Sequence, residues 1–138
     1  MGSEVSGQRV GSHHVRTEAG VSFIKVVGVF TLDDTRAIAS MHEQILAQYG
    51  VLYVIADLRE ASGFSPEGRK FLAEWNRRHT VTAIAQFGGS LLARTISNLV
   101  VGATRLLGGH VPMIKNVKDE DEARTFIAAF RRSGTNPR

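Results

Sequence analysis

The sequence predicts an α/β fold: one domain with a mixed, mostly parallel β-sheet of about five strands and about four helices, in the order ββαβαβαβα. Three observations carry this. From residue 31 onward, stretches of helical periodicity alternate with short apolar runs rich in β-branched residues. Val51 to Leu58, VLYVIADL, is apolar almost throughout, as expected of a strand covered on both faces. The chain has 138 residues, 43% hydrophobic and 22% charged, which suits one globular unit with a real core.

Taken in order, residues 1–10 are small and polar without periodicity and read as a disordered N-terminal tail. His14 to Phe30 reads as two short strands around a Glu18-Ala19-Gly20 turn, with Gly28 marking a bend or bulge. Thr31 is the expected N-cap of a helix over 32–49, with Asp34 three residues on in a capping-box arrangement. Ile38, Met41, Ile45 and Tyr49 follow at helical spacing, and Gly50 supplies the stop. After the Val51–Leu58 strand, a short loop leads to Ser65, which caps a second helix carrying Phe71, Leu72 and Trp75 and ending in Arg77-Arg78.

Val81 to Phe87 is the next strand, broken by Gly88-Gly89. A helix from about Ser90 to Leu107 follows, stopped by Gly108-Gly109. Val111 to Val117 is the last strand. Asp119 to Arg131 is the last helix, acidic at its start and basic at its end, with Ala123, Phe126, Ile127 and Phe130 inward. The domain is thus expected over 11–131, with 132–138 a basic C-terminal tail.

Composition narrows the chemistry. With no cysteine, disulfides, zinc–thiolate sites and thiol catalysis are excluded. No signal-like or membrane-spanning apolar stretch is present, so a cytoplasmic protein without an integral membrane segment is expected. The net charge is +4, and no acidic residue lies between Glu74 and Asp119, an interval holding Arg77, Arg78, Arg94, Arg105, Lys115 and Lys118. Polyanion binding is one reading of that set. The charges are scattered without aromatic stacking residues between them, so a solvated basic surface is the simpler reading and nucleic acid is not the expected partner.

The order of elements resembles the SpoIIAA-like, or STAS-type, family of small bacterial α/β domains, and its uncharacterised SpoIIAA-like branch in particular. Gly28-Val29-Phe30-Thr31-Leu32-Asp33 looks like that family's step from second strand to first helix. Val54-Ile55-Ala56-Asp57-Leu58 looks like its central strand, and Ser65 lies near the distance from Asp57 at which the family places an Asp-Ser-Ser-Gly loop. The resemblance implies a non-enzymatic regulatory module that docks a protein partner, switched in family members by a phosphate on a serine at a helix N-terminus. Here Gly63-Phe64-Ser65-Pro66-Glu67-Gly68 stands in place of Asp-Ser-Ser-Gly. Ser65, the weak phosphoacceptor candidate, reads as a plain N-cap with Pro66 at N1, so the phosphoswitch is expected to be absent. Ser62 is the other hydroxyl of that loop.

Other candidates yield structural readings. Asp57 ends a strand where α/β ligand sites often lie, yet no second carboxylate or histidine is spaced for a metal, so it reads as a carboxylate holding the following loop. The histidines at 13, 14, 42, 79 and 110 show no metal-ligand spacing, and no metal or cofactor is expected. Neither a nucleotide loop nor a nucleophile elbow is present, and a Gly88-Gly89-Ser90 anion cradle competes with a simple turn. On the third helix, Leu92, Ala93, Ile96, Leu99, Val100, Ala103, Leu106 and Leu107 form an apolar arc of roughly 140°. Arg94, Asn98, Val101 and Arg105 line the opposite side.

The expected function is a non-catalytic regulatory or protein-interaction module of STAS type. Its partner-surface candidates are Asp57, Ser62, Ser65, Arg94, Asn98 and Arg105. The alternative is binding or sensing of a small hydrophobic, lipid-like ligand, suggested by the apolar arc and by the SEC14-type grouping of some relatives. A homodimer through that arc is a further candidate partner arrangement.

Overall fold

The structure, a computed structural model, describes residues 6–134. Six strands form one sheet in the order of the chain. They are β1 (Ser6–Val10), β2 (His13–Glu18), β3 (Val21–Phe30), β4 (Tyr53–Phe64), β5 (Ala83–Phe87) and β6 (Met113–Val117). β1, β2 and β3 pair antiparallel, while β3 to β6 run parallel. The four helices are α1 (Leu32–Tyr49), α2 (Pro66–Arg78), α3 (Leu91–Leu106) and α4 (Glu120–Gly134).

The sheet has one strand more than expected. Ser6–Val10, read as part of the tail, pairs with β2, and Val10 joins the core at 8% exposure. The connection is the two-residue Gly11-Ser12 turn, with Gly11 at φ 59°. A glycine of positive φ at the first central position matches the type II′ turns that suit hairpin twist. The next hairpin turns through Ala19 (φ 42°) and Gly20 (φ 87°), both left-handed as a type I′ turn requires. At the other end α4 continues past Arg131 to Gly134, taking up the start of the stretch read as a C-terminal tail; residues 135–138 lie outside the described ones.

The second correction concerns β4. The stretch after Leu58, expected to be a loop, continues as strand to Phe64, paired with β3 across two bulges, one of them at Gly28 (φ 77°). The pairing ends where Ser65 N–H donates to Phe30 O at 2.9 Å. α1 begins and ends where the caps require: Thr31 and Asp34 form the reciprocal capping box, and Gly50 takes φ 75°.

Alternate strand residues feed two cores. On one face Val15, Ile24 and Val54 pack with Ile38, Ile45 and Trp75 of α1 and α2. On the other, Phe23, Tyr53, Ile55 and Phe87 pack beneath Ala123 and Ile127 of α4. Arg131 fastens α4 across the Ala19-Gly20 turn, donating to Ala19 O at 2.7 Å while lying over the Tyr53 ring.

Candidate functional site

Three helices and one sheet face should close tightly, but α3 does not settle on the strands it connects. It packs chiefly on α2 and β4, leaving a gap above β5 and β6. The side chains it turns toward that gap are small or β-branched: Ala93, Ser97, Val100, Val101 and Thr104. With Val54, Trp75, Ile84 and Ile114 they line a cavity of about 230 Å³. Its wall is mainly apolar, with polar groups at two ends. At one, Asn76 donates to the Thr104 hydroxyl at 3.2 Å. At the other, Gln86 donates to Asn116 at 2.9 Å, with the Ser97 hydroxyl 3.5 Å from its carbonyl oxygen.

The roll of α3 differs from the expected one. Its inner face is centred near Val100 and Thr104, roughly 80° around the helix from the middle of the apolar arc. Val101, expected outside, lines the cavity, while Leu99 (53% exposed) and Leu106 (89%), expected inside, face solvent with Leu91 (81%). The physical reason is steric. Small residues let α3 lie against α2 and β4, and the bulky leucines are left on the outer flank. Arg94, Asn98 and Arg105 are exposed on the same helix.

The remaining candidates are dispersed. Ser62 is exposed on β4 at the cavity rim. Ser65 caps α2, accepting Gly68 N–H at 3.1 Å, with Pro66 at N1. A side chain at residue 68 would meet Phe64, Thr35 and Ser65 at 2.8–3.0 Å, so the segment around that hydroxyl is closely packed. Asp57 points to the opposite face of the sheet. Arg59 grips it with two charge-assisted bonds, 2.9 and 2.7 Å, and its backbone N–H adds a third at 3.1 Å. The Arg59 hydrogen bond outweighs burial and holds the Asp57 carboxyl below its usual range.

Two histidines the spacing argument passed over are buried pins. His13 is fully buried. Its Nδ1 accepts Val27 N–H at 3.0 Å, so the ring proton sits on Nε2 and is donated to Asp34 at 2.8 Å. Burial alone would raise the Asp34 carboxyl, but hydrogen bonds from Thr31 and His13 bring it below its usual value. His42 lies against the cavity with Nε2 2.9 Å from the Ser22 hydroxyl, and burial pushes it down to about 4. With both nitrogens of His13 engaged, that ring has no free nitrogen for general-base work.

Comparison with known proteins bears on the fold. No family model and no curated protein matches the chain. Among solved structures, an uncharacterised DUF3478-family protein with a SpoIIAA-like fold from Shewanella loihica PV-4 matches at TM-score 0.55 and 19% identity, over 91% of this chain and 93% of that one. The anti-sigma factor antagonist SpoIIAA in its unphosphorylated form matches at TM-score 0.55 and 12% identity, over 91% and 98%. The chain has a SpoIIAA-like fold.

Proposed function

We propose that this SpoIIAA-like domain is a non-catalytic regulatory or protein-interaction module that works without a phosphoswitch and meets its partner through α3. The observation that carries the reading is the outer flank of that helix. Leu91, Leu99 and Leu106 stand in solvent beside Arg94, Asn98 and Arg105, on a helix without an acidic residue. Clustered exposed leucines are costly on a free surface and gain by burial against a partner. The likeness to an anti-sigma factor antagonist supports the same style of function. Against a switch at Ser65 stand its engaged hydroxyl, the adjacent Pro66 and the charge already supplied by Glu67.

The test is affinity capture with cross-linking, comparing wild type with Leu99→Asp/Leu106→Asp and with Ser65→Ala. The α3 variant should keep its circular dichroism and lose the partner, whereas Ser65→Ala should keep it. A partner retained by the α3 variant would sink the proposal, and one lost with Ser65→Ala would restore the switch.

The cavity favours a second reading, uptake of a small apolar molecule. At about 230 Å³ it falls below the ~300 Å³ at which ligand pockets usually begin. That volume suits a small molecule better than a long-chain lipid. An engineered apolar cavity of ~150 Å³ binds benzene, so a single substituted ring or a short acyl chain is the right scale. Trp75, the one tryptophan, lies on the wall and supplies the readout. Octanoate should shift its fluorescence saturably, and Ala93→Leu should abolish the shift. No shift at millimolar ligand removes this reading.

A further inference from the structure

On its side of the sheet α4 lies chiefly over β4, β5 and β6, with Arg124 reaching 4.5 Å over Phe23 of β3, and it leaves the half of the sheet around Arg9, His14 and Lys25 open. The register across that bare half aligns Arg9 with His14, His14 with Lys25, and Lys25 with Asp57. One step along the strands, Gly7, Arg16, Phe23 and Ile55 form the next row. Adjacent strands are ~4.8 Å apart, so the Arg9, His14 and Lys25 positions fall within ~10 Å of one another. With Arg16 and Arg59 they rim a groove of about 530 Å³ floored by Phe23, Ile55 and Phe87.

Four permanent cations and a histidine here face two carboxylates, Asp57 and Glu120. Those two are already engaged, Asp57 by Arg59 and Glu120 by Arg16 at 3.3 Å. Lys25 reaches Glu60 at 3.0 Å, a pair about half exposed on both sides. Arg9 and His14 meet no carboxylate among the described residues. Arg9 thus adds a permanent positive charge that no carboxylate offsets, beside a row already carrying Lys25, and an arriving anion would offset it. The guanidiniums are already positioned, Arg16 lying 4.6 Å over Phe23 and Arg59 5.5 Å over Phe87, so less side-chain freedom is lost on binding.

The same rim opens on a strand edge. β1 ends the sheet, and along its outer side no described strand takes up the backbone N–H and C=O groups. An extended segment laid there would send every second side chain to the groove face, beside Arg9 and over the bare Gly7. The geometry points to a docking site for an acidic, extended peptide segment of a partner protein, added as a seventh strand on β1 with alternate carboxylates meeting Arg9, His14 and Arg16. Nucleic acid suits the groove less well. Its aromatic rings are buried beneath the protein's own arginines and offer no stacking surface.

A labelled peptide of alternating Glu and Thr tests this by fluorescence anisotropy and amide NMR on the full chain. Saturable binding should perturb residues 7–10 and their β2 neighbours, and should weaken as salt rises from about 50 to about 200 mM. Arg9→Glu/Lys25→Glu should lower affinity roughly tenfold or more, with Arg9→Gln/Lys25→Gln intermediate and both folds unchanged by circular dichroism. No saturable binding at low salt, binding indifferent to charge reversal, or tighter binding of single-stranded DNA or phosphatidylglycerol vesicles through the same residues would each overturn the assignment.

Discussion

His42 shows how one side chain writes a pH dependence into the whole domain. It is buried on α1, hydrogen-bonded to Ser22, and pushed down to about 4 from the usual ~6.5. The sign follows directly. Above ~6.5 both folded and unfolded chains hold the ring neutral; below that the unfolded chain gains a proton that the folded one refuses. Stability therefore falls between pH ~6.5 and ~4, by an amount on the order of 3 kcal/mol, and this contribution levels off at lower pH. Asp34 and Asp57 act in a separate window. Their depressed carboxyls contribute stability that is present above ~3.9 and lost as pH drops further. Urea unfolding of wild type and His42→Gln between pH 7.5 and 4.5 separates these groups. The wild type should lose stability across that range, and the variant should lose markedly less. A flat wild-type profile would contradict the burial argument.

At the scale of elements, what could be read from sequence was whatever local chemistry settles. The Thr31–Asp34 capping box and Gly50 set both ends of α1, Ser65-Pro66 set the start of α2, and the Ala19-Gly20 turn set the β2–β3 hairpin. β1 escaped because Ser6–Val10 carries a single apolar residue; the overlooked signal was Gly11-Ser12, a glycine-first pair fitted to a hairpin turn. The extension of β4 escaped because its continuation, Arg59 to Phe64, owes its strand geometry to pairing with β3 rather than to its own residues. α3 is the most instructive case. Periodicity locates an apolar arc but does not say how much of it the chain's own core covers. Here the domain takes the side bearing Val100 and Thr104 and leaves Leu99 and Leu106 outside, so the candidate partner surface became visible only once α3 was seen against α2.

For the molecule as a whole, the two sides of the sheet are built differently, and stability should reflect it. One side has three helices, with α3 standing off over a cavity; the other has α4 alone, packed directly on the strands. The cationic row also belongs to this scale, because Arg9, His14 and Lys25 meet only when register brings three strands together. Two substitutions of identical chemistry compare the layers. Ile127→Ala removes a side chain 4% exposed between α4 and the strands, where neighbours cannot collapse onto the gap, and should cost about 3 kcal/mol. Ile96→Ala removes the same atoms from a half-buried residue already bordering empty space. Fewer contacts are lost there, and a cost near 1 kcal/mol is expected. Urea midpoints at constant m-value measure both. Equal losses would mean that α3 is held as tightly as α4, leaving it no looser than the rest and removing the main physical reason for assigning ligand uptake to the space beneath it.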